Sequence, residues 1–297
     1  MSNLKVAAIQ CGPAVEDVQV NLDAVHSLAE QALAQGAQIV LLSELATAPY
    51  FCPVSDPRYF DLALPIPGEW CERFHALAAK YDGHIILPLF ERSLATGAYF
   101  NSACVIGPEG IVEGLLPDGG TVPAYRKCHL PISYDLELLR LRSNEKFYFS
   151  PGTGFCTFQV KDIRIGILIC WDKRFTEAWR ILGLQGCDVV FNPIATWGPW
   201  RVETFAAELR IMAMCNQYFV VGVAKAGAET IEITREYGGG AHVFDPTGNQ
   251  VASAPTQADG ILYTELDLSR LDHARRNTPI YRDRRPDLYG PLSEQFC

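Results

Sequence analysis

None of the ten cysteines in this 297-residue chain forms a Cys-x-x-Cys pair, and none has a histidine partner at zinc-finger spacing. That absence argues against a structural zinc site and against a disulfide framework. It leaves reduced thiols, as expected of a cytoplasmic protein. Positive charge is also short: 25 lysines and arginines face 34 aspartates and glutamates, a formal net charge of −9, so no broad nucleic-acid footprint is expected. No apolar run approaches the length of a membrane-crossing helix. Met1-Ser2-Asn3-Leu4-Lys5-Val6 lacks a charged-then-apolar signal pattern and enters a strand directly, so neither a targeting nor a membrane segment is expected. Low-complexity tracts are missing too. What remains is an ordinary globular composition, long enough for one large α/β domain or two smaller ones.

Short β-branched runs alternate with amphipathic helices. Leu4–Gln10 reads as a strand, and Asn21 reads as the N-cap of a helix that buries Leu22, Val25, Ala29, Ala32 and Leu33 and stops at Gly36. Strands are expected at 39–42 and 84–90, with a helix over 70–80 between them. A hairpin is expected around Gly107-Pro108-Glu109-Gly110. The second half replays this order: a strand over 163–170, a helix over 176–185, a strand over 189–192, a helix over 203–215, a strand over 218–224 and a hairpin around Pro246-Thr247-Gly248-Asn249. Both early helices end in Gln-Gly, at Gln35-Gly36 and Gln185-Gly186. A repeat of this length is not a solenoid unit; it implies two sheets packed face to face, each with helices on its outer side.

Only one cysteine closes an apolar strand run and leads into a charged, aromatic turn: Ile169-Cys170-Trp171-Asp172-Lys173-Arg174-Phe175. Strand ends are where α/β sheets present reactive groups, and cationic neighbours favour a thiolate. Cys11 holds the same place in the first half but is followed by Gly12-Pro13, so position alone does not make a thiol reactive; Cys11 reads as structural. A thiol attacking a carbonyl needs a base and a partner for the oxyanion. Glu44 ends the run Ile39-Val40-Leu41-Leu42-Ser43 and precedes the apolar, aromatic Leu45–Phe51. An isolated glutamate there is ordinarily a solvated loop acid, but these surroundings suit a partly buried base. Arg126-Lys127 alone reads as a surface basic pair, yet His129-Leu130-Pro131 marks a defined loop in which His129 is an anchor rather than a base.

Three blocks in chain order, Leu41-Leu42-Ser43-Glu44, Tyr125-Arg126-Lys127-Cys128-His129-Leu130-Pro131 and Ile169-Cys170-Trp171-Asp172, resemble the carbon–nitrogen hydrolase (nitrilase) superfamily. Phe149-Ser150-Pro151-Gly152, Phe191-Asn192-Pro193 and Asp245-Pro246-Thr247-Gly248 agree with it, and the resemblance runs from about Leu4 to Leu292. It implies an α/β fold, a four-layer αββα sandwich with an internal two-fold repeat. The whole chain would form one hydrolase domain with its core over 4–270 and an oligomerisation tail over 271–297. It also implies Glu44 as base, Lys127 as oxyanion partner and Cys170 as nucleophile. The family's second glutamate matches Glu145, with Glu137 as competitor. No metal and no cofactor are implied.

The same resemblance implies a small-molecule substrate bound near Tyr50, Trp171, Lys173, Arg174, Asn192 and Thr196. Lys173 and Arg174 suit a substrate carboxylate, while Trp197, Trp200 and Tyr50 are candidates for an apolar wall. Cys170-Trp171-Asp172 is similar to amidases and N-carbamoyl hydrolases, and the Asn192-Pro193 loop to ureidopropionate and ureido-amine hydrolases rather than enzymes of N-carbamoyl-D-amino acids. The expected activity is hydrolysis of a small N-carbamoyl (ureido) acid through a thioester-type intermediate, with release of ammonia and carbon dioxide. An aliphatic or ω-amidase, a nitrilase, an acyl transferase and a silent scaffold subunit are the alternatives. Self-association into at least a homodimer is expected, with neither nucleic acid nor membrane as partner.

Overall fold

The computed structural model describes residues 3–94, 97–135 and 140–294. Strand β1, Asn3–Gln10, buries Leu4, Val6 and Ala8 on one face and Ala7 and Ile9 on the other. A strand apolar on both sides lies between two layers. Helix α1 (Val18–Ala34), β2 (Ile39–Leu42), α2 (Trp70–Tyr81), β3 (His84–Arg92), β4 (Tyr99–Gly107) and β5 (Gly110–Val112) follow. Strands β1, β2 and β3 pair in parallel, with Val6 opposite Ile39 and Ile39 opposite His84; β4 and β5 then add antiparallel.

The second half contains β6 (Thr157–Val160), β7 (Ile163–Ile167), α3 (Thr176–Leu184), β8 (Val189–Ile194), α4 (Pro199–Asn216) and β9 (Phe219–Ala224). It continues through β10 (Ala226–Ile231), β11 (Ile233–Gly238), β12 (Ala241–Phe244), β13 (Gln250–Ala254), β14 (Gly260–Asp267) and α5 (Ser269–Asn277). Strands β7, β8 and β9 are parallel, and β12 and β13 extend them antiparallel, as in the first sheet. Each sheet also receives an antiparallel strand beside its first parallel one, β14 on β1 and β6 on β7. The late strand β14 thus completes the early sheet. Gly114–Leu115 joins the late one through β6, so the halves interlock.

Side-chain alternation separates the layers. Val40, Leu42, Ile85 and Leu87 join Leu22, Val25, Leu33, Phe74 and Leu77 beneath α1 and α2. Leu4, Val6, Ile39, Leu41 and Ile86 point the other way and share a core with Phe158, Ile165, Ile167 and Val189 of the second sheet. Trp179, Leu182, Phe205 and Leu209 of α3 and α4 cover that sheet's far side. The result is the expected αββα sandwich. The twin Gln-Gly stops are twin helix caps. Gly36 and Gly186 take φ +85° and +82°, and the following N–H groups reach back to Ala32 O and Leu182 O (3.2 Å each), a paired Schellman geometry.

Two local expectations are corrected. Asp17, not Asn21, caps α1, its Oδ1 accepting from Gln19 N (2.9 Å) and Val20 N (3.3 Å). Asn21 is buried within the helix, where it donates to Val15 O (2.7 Å) and Thr47 O (2.9 Å) and ties α1 to the loop after Glu44. The strand expected to reach Cys170 stops at Ile167, because the chain must bend to free the thiol from the sheet. Arg275 and Arg276 lie in the last turn of α5. Beyond them Tyr281 packs back on its own chain, donating to Asn216 O (2.5 Å).

Candidate active site

Glu44, Lys127 and Glu145 meet in a fully buried cluster. Lys127 Nζ lies 2.9 Å from Glu44 Oε1 and 2.8 Å from Glu145, and none of the three side chains is exposed. Glu44 also accepts from Asn101 Nδ2 (2.8 Å) and from the backbone N–H of Ala195 (2.8 Å). Glu145 opens the short helix Glu145–Tyr148 and accepts the Tyr50 hydroxyl (2.8 Å), which is 2.9 Å from Ser143 Oγ. Burial alone would strip Lys127 of its proton, but the two carboxylates outweigh it and hold its proton affinity well above the ordinary lysine value. Glu145 is pushed up to about 7 by burial, with Lys127 and the Tyr50 hydroxyl opposing and Glu44 adding. The competitor Glu137 lies outside the described residues.

Lys127 is held by its neighbours. The strand Tyr125–Arg126 pairs with β4, and Lys127 N donates to Asn101 O (2.8 Å). Arg126 is no surface cation: it forms a two-pronged ion pair with buried Glu91, which Ser102 Oγ also meets at 2.5 Å. Gly152 N donates to Lys127 O (2.9 Å), and a Cβ at Gly152 would fall 2.1 Å from Arg126 O, so only glycine permits this approach.

Cys170 opens a 3₁₀ turn, Cys170–Arg174, with φ +45°, a left-handed conformation costing a non-glycine residue about 1–3 kcal/mol. Asp172 supports it. Its carboxylate accepts from Tyr125 Oη (2.6 Å), His129 N (2.9 Å) and Ile169 N (3.2 Å), and meets His129 Nδ1 at 2.8 Å. His129, stacked on Phe175 at 3.5 Å, is thus the anchor expected, joining the Lys127 segment to the Cys170 turn. Ala195 bridges the site, its carbonyl 3.9 Å from Cys170 Sγ and its N–H on Glu44. Burial pushes the thiol up to about 12, with the Glu44 charge adding and Lys127 and Lys173 opposing. The cationic turn therefore does not make a resting thiolate; reactivity requires a base. Cys11, in the matching place, is buried; burial raises its thiol also, against hydrogen bonding with Ser43 and the charge of Lys225.

The expected substrate contacts divide. Lys173 and Arg174 both face Glu208 of α4, at 3.7 and 2.7 Å, so a substrate carboxylate there would compete with one already present. Asn192 is buried and donates to Leu168 O, bracing the turn. Thr196 is buried, its carbonyl accepting from Gly238 N (3.0 Å). Tyr50 is buried and its hydroxyl serves Glu145, while its ring meets Trp197 edge-on at 5.5 Å. Trp171 is partly exposed and borders a cavity of about 720 Å³ shared with Cys128, His129, Ile132, Lys146 and Phe175. The side chain of Trp200 lies outside the described residues.

Reading the sequence alone misses Asn101, Glu91, Glu208, Lys225 and Glu229. Polar residues inside otherwise apolar strands, such as Phe90-Glu91 and Phe100-Asn101-Ser102, were the available signal. Among the described residues no group of three potential metal ligands occurs, and no helix is long and apolar enough to cross a membrane.

An α/β sandwich thus brings the buried Glu44–Lys127–Glu145 cluster close to the Cys170 turn. The sequence pattern of the family described as carbon–nitrogen hydrolase matches residues 5–276. A citrullinase of Francisella tularensis is 32% identical, with 100% of both chains covered. An N-carbamoylputrescine amidase of Solanum lycopersicum is 34% identical over 97% of this chain and 94% of the relative. The crystal structure of a carbon–nitrogen hydrolase from Helicobacter pylori G27 superposes with a TM-score of 0.84 at 29% identity, covering 99% and 100% of the two chains. This chain belongs to the carbon–nitrogen hydrolase family, within the nitrilase superfamily, and is an enzyme of that class.

Proposed function

We propose that this enzyme hydrolyses a small N-carbamoyl (ureido) acid, with Glu44, Lys127, Cys170 and Glu145 as its catalytic residues. The buried cluster of Lys127 between two carboxylates, beside a strained thiol turn, carries the reading. Because the thiol rests protonated, Glu44 takes its proton as sulfur attacks the carbamoyl carbon. Lys127 commits two of its three ammonium protons to Glu44 and Glu145, so the third is left for the oxyanion, together with the Trp171 backbone N–H. The intermediate collapses to a thioester-type carbamoyl enzyme as ammonia leaves with a proton from Glu44. Glu44 then activates water, and the released carbamate loses carbon dioxide. One water and one ureido acid yield one amino acid, one ammonia and one carbon dioxide.

Arginines support an acid rather than an amine as substrate. The guanidinium carbons of Arg142 and Arg235 each lie 5.7 Å from the Trp197 ring, whose edge meets Tyr50. Arg201 shares this neighbourhood; burial, and next the charge of Arg142, lower its proton affinity. Arg142 at this aromatic wall favours an anionic substrate group and repels an ammonium. Ammonia release from matched panels of ureido acids, ureido amines and plain ω-amides tests this. We expect kcat/KM to favour ureido acids at least tenfold and Arg142→Gln to raise their KM. Preference for ureido amines or plain amides would overturn the substrate reading while leaving the chemistry intact.

A further inference from the structure

A second buried ion pair borders the site and has no part in the reaction above. Lys225 Nζ lies 2.7 Å from Glu229 Oε1, with side chains 0% and 1% exposed. Buried pairs seldom repay their desolvation in stability, so what this one holds is informative. Lys225 follows β9 and donates to Ala48 O (2.8 Å) and Leu45 O (3.4 Å). Glu229, on β10, accepts from Tyr50 N (2.9 Å) and Ala14 N (2.9 Å). Three of these four contacts grip the segment from Leu45 to Tyr50. That segment begins beside Glu44 with Leu45 at φ +49° and ends at the hydroxyl that donates to Glu145. The Lys225 main chain is engaged as well: its N–H donates to Ile194 O (2.9 Å), one residue before the Ala195 N–H that holds Glu44.

We propose that Lys225 and Glu229 are positioning residues, a latch that clamps the 45–50 segment so that Glu44 stays on Lys127 and the Tyr50 hydroxyl stays on Glu145. The proposal rests on the reading of Glu44 and Glu145 as catalytic groups. Neither latch residue touches a reacting atom; both act through the main chain of Leu45, Ala48 and Tyr50. Glu145 faces Lys127, Glu44 and Tyr50, with Cys52 and Cys170 the further titratable groups near it. Burial raises the proton affinity of Glu145, while Lys127 first and then the Tyr50 hydroxyl lower it, so slackening the latch and losing the Tyr50 contact should move its titration to higher pH.

The test uses the full chain and iodoacetamide, a small amide-bearing alkylating agent, so it does not depend on the substrate. Alkylation of Cys170 is followed by mass spectrometry from pH 5 to 9 in Lys225→Met, Glu229→Gln, the uncharged double variant and Tyr50→Phe. Cooperative thermal unfolding identifies the folded variants. We expect the neutral inflection of the profile to move alkaline in Tyr50→Phe and equally in the latch variants, with alkylation at pH 7 slowed at least tenfold. Lys225→Arg, which can restore the pair, should recover most of the rate. Where a single variant does not fold, the double variant, which leaves no lone buried charge, gives the reading. A folded latch variant with the wild-type profile overturns the proposal, as does an unshifted Tyr50→Phe. Full hydrolysis by Glu145→Gln would instead sink the catalytic reading beneath it, whatever the latch variants do.

Discussion

A thiol pushed up to about 12 beside a lysine sounds contradictory until the partners are counted. Lys127 spends its charge on two carboxylates, and its pull towards ionising Cys170 is outweighed by burial and the Glu44 charge. In the proposed mechanism proton removal and attack belong to one event, so Cys170→Ala should abolish turnover while leaving the fold intact. Glu145 gives this scheme a pH signature. Below about 7 the cluster takes up a proton, Lys127 loses one of its anchoring charges, and kcat should fall tenfold per pH unit. Glu145→Gln should lower kcat by roughly a hundredfold and abolish that acid limb. A pH–rate profile on both forms checks the claim; an unchanged limb in the variant would assign it elsewhere.

At the scale of elements, the site depends on close approach between segments remote in sequence. Gly152 sits against the strand that carries Lys127, where a Cβ would meet Arg126 O at 2.1 Å. Gly152→Ala should therefore shift Lys127 and cost roughly a hundredfold in kcat, with a stability loss of only about 1–3 kcal/mol. Activity falling no further than stability would refute this. At the start of β3, burial lowers His84 to about 4. Its folded proton affinity is below that of the unfolded chain, so its contribution is complete above about pH 6.5. It is lost as pH falls towards 4, at most about 3 kcal/mol. Urea midpoints of wild type and His84→Gln should converge over that interval; a constant gap would exclude His84 as the cause.

For the whole molecule, the interlocked sheets mean that neither half can bury its core alone: β14 closes the first sheet and Gly114–Leu115 extends the second. The outer helices α3 and α4 leave Leu184, Ile211 and Met214 about half exposed, at 50%, 49% and 47%. Apolar side chains on neighbouring outer helices favour burial against a second copy. We propose a homodimer or larger assembly, to be seen by sedimentation velocity at micromolar concentration. A monomer under those conditions would contradict it, and Ile211→Glu should dissociate the assembly.

The αββα layering and the duplicated Gln-Gly caps were legible in the sequence, in local signals: period-two alternation and a glycine at a left-handed cap. Glu44 and Cys170 stood out as polar residues closing apolar runs, whereas Lys127 was singled out by family likeness. Glu145 was legible only by likeness, since four residues of helix carry no signal of their own. Tertiary structure alone decided the rest. It turned Lys173 and Arg174 towards Glu208, made Asp172 the brace of the Cys170 turn, and drew Lys225 and Glu229 across to the loop behind Glu44. A charge in a sequence shows that a partner is required once it is buried, but only packing chooses the partner, because desolvation and distance depend on segments brought together by the fold.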